Sequence, residues 1–309
     1  MTRNVFIDGG AGTTGLEIRE RLAGRDEIAL VQLDEARRKD PAARREALND
    51  ADFVILCLPD DAAREAVSLI DNPRTRVIDA STAHRVADGW TYGFAELEPG
   101  QQAAIAEALR VSNPGCYPTG FLALVRPLVR AGLVPHDWPL NVNATSGYSG
   151  GGKAMIAEFE GEGGGAAYRG YALDLSHKHV PEMQRHARLA HPPIFAPAVA
   201  RIYRGMVVEV PLPLHAFVRR PSLETIENTL REAYDGSKLI RVERRESGLV
   251  DIAADAGTDR LTLSVHGNAE TGQARLIATL DNLGKGAAGA AVQNLNIMAG
   301  LDPVAGLTL

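Results

Sequence analysis

Cysteine is nearly absent, with two residues, Cys57 and Cys116, among 309. Two thiols cannot build the disulfide framework on which small secreted domains depend, so the chain reads as a cytoplasmic protein with free thiols. No apolar run is long enough to span a bilayer, and the chain opens into a short strand pattern rather than a signal peptide, so no membrane partner is expected. Basic surplus is lacking as well. With 33 Lys and Arg against 39 Asp and Glu, a formal net charge of -6, the chain has no footprint for neutralising phosphates along DNA or RNA, which argues against nucleic acid. No internal repeat is present, and the one low-complexity patch, residues 161–166, reads as a loop.

What remains is ordinary globular usage, 45% hydrophobic and 23% charged, tilted by 31 glycines toward tight turns and close backbone approaches. At this length the chain fits two domains. Residues 4–8, 28–33, 53–58 and 76–79 are short apolar runs that read as strands buried on both faces. Between them, residues 16–22, 42–48 and 61–70 suit crossover helices, giving a βαβ series. Past Pro114 the pattern turns to long glycine-rich loops and alternating strands at 206–212, 261–265 and 274–280, which predicts an α+β second domain. The stretch 286–298, rich in small residues, can pack closely, back on the first domain. The expected division is 1–113 with 285–309 for a dinucleotide-binding domain, and 114–284 for a catalytic and oligomerisation domain.

Gly10-Ala11-Gly12-Thr13-Thr14-Gly15 follows the first strand and opens a helix, the context that the dinucleotide fingerprint requires. Its glycines allow a tight turn, and backbone N–H groups at the helix start can approach a pyrophosphate. About twenty residues on, where a ribose partner is expected, stands Asp34, followed by Arg37, Arg38 and Lys39. Asp34 alone suits NAD, whereas the basic cluster can pair with a 2′-phosphate, and this favours NADP(H). A solvated surface run is the alternative reading of the cluster.

Cys116 lies in Ser112-Asn113-Pro114-Gly115-Cys116-Tyr117-Pro118-Thr119-Gly120, a breaker-rich turn leading into an apolar helical stretch. A thiol at a helix start has its thiolate favoured by the macrodipole, and the same N–H groups can hold an oxyanion. Cys57, inside an apolar strand, reads instead as a small buried hydrophobe. His177 and His179, in His-Lys-His-Val-Pro-Glu, titrate near neutrality and would share one face if the segment were extended. A metal site is the rival reading of such a pair, but no third ligand has convincing spacing, so no metal is expected. His186 and His191 read as surface residues. Ser149, Gly150 and Lys153, in Ser-Gly-Tyr-Ser-Gly-Gly-Gly-Lys, could cradle an anion, with Lys153 at a helix start. Arg85 and Arg204 are further cations for such a substrate.

The glycine turn, the Ser-Asn-Pro-Gly-Cys-Tyr-Pro-Thr segment, the His-Lys-His-Val-Pro-Glu segment and the C-terminal Asn282-Leu283-Gly284-Lys285-Gly286-Ala287-Ala288-Gly289-Ala290-Ala291-Val292-Gln293-Asn294 resemble N-acetyl-γ-glutamyl-phosphate reductases, in the shorter of their two forms. The resemblance implies an α/β fold like aspartate-semialdehyde dehydrogenase: a Rossmann-type dinucleotide-binding domain plus an α+β substrate and oligomerisation domain, in a homodimer or homotetramer. It implies NADPH-dependent reduction of N-acetylglutamyl 5-phosphate to the 5-semialdehyde in arginine biosynthesis. Cys116, His177 and His179 would then be catalytic; Gly10, Gly12, Thr13, Thr14, Gly15, Arg37, Arg38, Ser81, Asn282, Lys285 and Gly286 would bind cofactor; Asn113, Ser149, Gly150, Lys153, Glu182 and Arg85 would bind substrate. One departure is Val180, where the longer form has Thr, so no role for that hydroxyl carries over.

The chemistry agrees with the residues. A thioester accepts hydride where an acyl phosphate does so poorly, so a covalent cysteine splits the task. Backbone N–H groups at Cys116 and Tyr117 are the oxyanion candidates, and the histidines the proton shuttle. Reductases of aspartyl phosphate or of carrier-bound aminoadipyl phosphate are the nearest alternatives. An NADP-binding redox sensor needs no proton shuttle, and a thiol hydrolase needs no nucleotide fingerprint.

Overall fold

A computed structural model describes residues 2–34, residue 37, residues 40–244 and residues 247–309. The chain divides into two compact units, one made of residues 1–95, 99–114 and 287–307, the other of residues 96–98, 115–286 and 308–309.

The first unit is a six-stranded, all-parallel sheet in the order β2-β1-β3-β4-β6-β5. Its strands are β1 (Arg3–Asp8), β2 (Ile28–Val31), β3 (Phe53–Leu56), β4 (Arg76–Asp79), β5 (Thr91–Tyr92) and β6 (Arg110–Ser112). Its helices are α1 (Thr13–Leu22), α2 (Pro41–Asp50), α3 (Asp60–Ser68), α4 (Gln101–Glu107) and α9 (Gly289–Ala299). Consecutive strand residues feed opposite faces, as the pleat dictates. Val5, Ile55 and Ile78 join Ile18, Val292 and Leu295 in one core, whereas Phe6, Val54 and Val77 join Leu48 and Ala63 in the other. That two-sided burial is why these runs carry no polar alternation. Helix α9 packs against α1 and α4, as its small residues permit. Helix α2 starts where Asp40 caps it, its carboxylate accepting from the Ala42 N–H at 3.0 Å, with Pro41 in the first turn.

The second unit holds a mixed seven-stranded sheet in the order β11-β12-β13-β10-β7-β9-β8. The strands are β7 (Asn141–Gly147), β8 (Tyr168–Gly170), β9 (Ile194–Ala200), β10 (Met206–Leu212), β11 (Ile240–Val242), β12 (Leu261–Asn268) and β13 (Gln273–Leu280). With them come α5 (Cys116–Arg130), α6 (Gly152–Glu160), α7 (Val180–Ala187) and α8 (Leu223–Ala233). Burial alternates residue by residue along β10, so one face of the sheet is covered. Helix α5 lies on β10 and β13. Gly120 allows the close approach, since a Cβ there would stand 2.7 Å from Val208 Cγ2. The helix expected from residue 286 is in fact two pieces, a π-helical turn over Gly284–Ala288 and then α9. Among the described residues, no helix is long and apolar enough to cross a membrane.

Candidate active site

In the first unit, β1 ends at Asp8 and the chain reverses over the glycines. Gly9 has φ +83°, and a Cβ on it would lie 2.2 Å from the Cys57 carbonyl oxygen. A Cβ on Gly15 would lie 2.6 Å from Gly10 Cα, so the turn closes only with glycine at both places. Helix α1 then starts at Thr13 with Gly12 as its cap residue, no side chain capping it and no acid in its first turn. An uncapped, acid-free helix start suits an anion such as a pyrophosphate. Arg44, on α2, reaches Asp8 at 2.7 Å and fixes the strand end before the turn. The sequence gives little signal for this pair, because 36 residues separate its members.

Arg37 is exposed; its backbone N–H donates to Asp34 Oδ1 at 2.8 Å, and its guanidinium pairs with Glu46 at 3.0 Å. Arg38 and Lys39 lie outside the described residues. Ser81 is buried, and both its N–H and its hydroxyl donate to the fully buried Asp79, at 2.9 and 2.7 Å. His84 Nδ1 stands 2.6 Å from the same carboxylate, its ring stacked on Trp90 at 4.1 Å. The Arg85 guanidinium donates to the carbonyls of Asn113 and Ala80, at 3.0 and 3.1 Å. Asn113 in turn donates to the Ala287 carbonyl and accepts from Asn294 Nδ2. Arg85 and Asn113, both expected at the substrate, therefore brace each other. Cys57, between Asp8 and Asp79, has its thiol pushed up to about 12, by burial first and by those carboxylates second.

In the second unit, Cys116 is the first residue of α5, and no side chain caps that helix start. The Gly115 N–H donates to Glu182 Oε1 at 2.8 Å, and the Thr119 hydroxyl donates to the Gly115 carbonyl. The peptide before the cysteine is thus held from α7 and from within α5. His177 and His179 sit in the turn before α7 rather than in a strand: the Val180 N–H donates to the His177 carbonyl, and the His179 N–H donates to His177 Nδ1. Pro181 favours a helix start here, and this overrides the extended conformation that would place the two on one strand face. The rings still gather, their centroids 4.7 Å apart and 6.2 and 5.9 Å from the ring of Tyr117, the neighbour of the cysteine.

Tyr171 and Phe195 complete this cluster, each next to His177. The Tyr171 hydroxyl donates to Tyr117, whose own hydroxyl donates to the Ala198 carbonyl. Burial pushes Tyr171 up to about 12 and Tyr117 well above the phenol range, with Cys116 adding to both, so both are neutral donors at physiological pH. Neither Tyr171 nor Phe195 has a periodic or motif signal in the sequence.

Ser149 and Asn282 are buried and joined, Asn282 Nδ2 donating to the Ser149 hydroxyl at 2.8 Å, while the Gly205 N–H donates to Asn282 Oδ1. Gly150 stands beside them, and Lys153 is exposed in the first turn of α6. Arg204 faces Asp281 at 3.4 Å. Lys285 is 1% exposed, with its ammonium 2.8 Å from Glu96. At Gly286 a Cβ would lie 3.0 Å from that of Cys116. Among the described residues, no group of three or more His, Cys, Asp or Glu could hold a metal ion.

A parallel dinucleotide-type sheet in one unit and a cysteine-headed helix on a mixed sheet in the other are the two parts of a semialdehyde dehydrogenase. The family model described as semialdehyde dehydrogenase, NAD binding domain, matches residues 4–105, and that described as semialdehyde dehydrogenase, dimerisation domain, matches residues 116–282. The fold is similar to a crystal structure of aspartate semialdehyde dehydrogenase II from Vibrio cholerae, with TM-score 0.72 at 19% identity, covering 97% of this chain and 99% of that one. In sequence the chain is 50% identical to N-acetyl-gamma-glutamyl-phosphate reductase 2 of Nostoc sp. over 317 residues, 98% of each. It is 52% identical to N-acetyl-gamma-glutamyl-phosphate reductase of Brucella ovis over 309 residues, 97% of this chain and all of that one. The chain belongs to the N-acetyl-γ-glutamyl-phosphate reductase family.

Proposed function

We propose that the protein reduces N-acetyl-L-glutamyl 5-phosphate to N-acetyl-L-glutamate 5-semialdehyde with NADPH, releasing phosphate, as a step of arginine biosynthesis. The observation that carries this is Cys116 as the first residue of an uncapped helix, with two imidazoles gathered at its neighbour Tyr117. Family membership supplies the acyl group.

The turn of Gly10, Gly12, Thr13, Thr14 and Gly15 fits a dinucleotide, because a Cβ at Gly15 would collide with the backbone of Gly9 and Gly10 and the helix start it leads to has no side-chain cap and no acid in its first turn. Ser81 and Arg37 are the further contacts we assign, Arg37 with Arg38 at the 2′-phosphate. When bound, the dinucleotide supplies the hydride that reduces the thioester carbonyl. The thiolate of Cys116 attacks the acyl carbon; the C–S bond forms as the bond to the phosphate oxygen breaks, and phosphate leaves with that electron pair. Backbone N–H groups at the start of α5 hold the oxyanion. After reduction, the hemithioacetal oxygen re-forms its C=O bond, the C–S bond breaks, and the sulfur regains its electron pair. One of His177 and His179 carries the proton in these steps, and the other holds the substrate. Ser149, Gly150 and Lys153 provide donors and a cation for the anionic substrate. Glu182 acts on the peptide before Cys116.

The first unit is read as the cofactor domain and the second as the catalytic one, which we also assign the contacts of a cytoplasmic homo-oligomer, in keeping with the dimerisation description of its family model. The test is the reverse reaction: purified protein with N-acetylglutamate semialdehyde, phosphate and NADP should generate reduced nucleotide. Turnover that is faster with aspartate semialdehyde, or independent of phosphate, would overturn the assignment.

A further inference from the structure

Lys285 is one of the largest fully buried side chains, its side chain 2% exposed and its ammonium 2.8 Å from Glu96, which is itself 15% exposed. A buried ion pair contributes little net stability, because desolvation offsets the attraction, so its use at a given place points to geometry. The place is informative. Lys285 lies in the π-helical turn Gly284–Ala288, a rare conformation that concentrates at functional sites.

The glycines on either side of it are wedged. A Cβ on Gly284 would stand 2.1 Å from the Thr258 carbonyl oxygen, and one on Gly286 would stand 3.0 Å from the Cβ of Cys116. The Gly286 N–H also donates to the Asp281 carbonyl at 3.0 Å. The turn is therefore a wall against the cysteine. Its partner Glu96 belongs to the short segment 96–98, whose Glu98 pairs with Arg126 and, at 2.9 Å, with Arg130. Both arginines are on α5, the helix that Cys116 begins. The pair thus ties the wall beside the cysteine to the helix that carries it.

We propose that Lys285, through Glu96, is a positioning residue that sets the seat of the Cys116 thiol, rather than a ligand of the cofactor. This rests on the reading of Cys116 as nucleophile. Lys285→Met alone removes one charge of the pair and leaves the partly buried Glu96 carboxylate without that ammonium, so the informative variant is Lys285→Met with Glu96→Leu, which removes both charges and keeps the volume. Alkylation of Cys116 by iodoacetamide, followed against pH without substrate or nucleotide, reads the thiol directly.

In the double variant the alkylation profile should shift along the pH axis, and kcat should fall by about 10- to 100-fold, the effect of a misplaced nucleophile. KM and NADP affinity should stay within about twofold. Lys285→Arg, which can keep the pair, should lie closer to wild type. A wild-type kcat and alkylation profile in the double variant would overturn the proposal, as would equal loss in Lys285→Arg. An unchanged alkylation profile with NADP affinity falling as far as kcat would make Lys285 a cofactor ligand, and also overturns it. Failure of the assigned substrate would leave the alkylation result readable, so the two readings fail separately.

Discussion

Glu182→Ala is the sharpest probe of how the cysteine is held. Glu182 is 1% exposed, and its Oε1 accepts from the buried N–H of Gly115 at 2.8 Å, one peptide ahead of Cys116. Alanine strands that N–H without an acceptor, a penalty of about 1–3 kcal/mol, and the emptied volume adds to it. For a unit of this size that corresponds to a fall in melting temperature of roughly 2–12 °C. The catalytic loss should be larger than this suggests, because Gly115 is the cap residue of α5, and a shift of about 1 Å in a reacting atom costs on the order of 10²-fold in rate. Glu182→Gln retains an oxygen acceptor and loses only the charge assistance, so it should keep most of both stability and kcat. The assay is kcat for phosphate-dependent oxidation of the semialdehyde, beside melting temperature. An alanine variant with wild-type kcat would refute the reasoning. So would a glutamine variant as damaged as alanine, since charge and not the hydrogen bond would then be the requirement.

Cys116→Ser should abolish turnover while leaving NADPH affinity nearly unchanged, measured by titration of the nucleotide; residual activity near wild type removes the covalent mechanism. The two thiols should separate on labelling of the native protein near neutral pH. A pKa raised to about 12 keeps Cys57 a neutral thiol until far above that range, with a thiolate fraction of about 10⁻⁴ at pH 8, so Cys116 alone should be alkylated, and Cys57 labelling as fast would contradict the assignment. Of the Asn variants of His177 and His179, the shuttle should lose kcat by about 10²–10⁴-fold and one limb of its pH–rate profile, while the holder chiefly raises KM. If both keep wild-type kcat, KM and pH profile, the acid–base group lies elsewhere.

The central strands and the glycine turn were legible because their physics is local. Burial on both faces leaves an uninterrupted apolar run at Phe53–Leu56, and a Cβ at Gly15 collides with the backbone of Gly10 in the same turn. The start of α5 at Cys116 follows in the same way from the Pro-Gly pair ahead of it. The two-residue strand β5 and the three-residue strands β6, β8 and β11 escaped because elements that short contain too few residues for a period to show.

The conformation at His177 and His179 depended on a choice that sequence spacing leaves open. Alternation along a strand and a turn ahead of a proline-led helix both bring residues two apart near each other, and Pro181 decided for the turn. What stayed hidden were partners supplied from far along the chain. Glu96 meets Lys285 across 189 residues, and the Gly115 N–H meets Glu182 across 67. A lysine in a glycine-rich motif carries the same one-dimensional signature whether its ammonium faces a phosphate or a carboxylate. Only the tertiary fold supplies the neighbour that the motif leaves open, and here it sets the buried Lys285 ammonium 2.8 Å from Glu96. Such residues at a site therefore test a motif-based assignment of roles most severely, since the motif fixes the residue type and the packing fixes the chemistry.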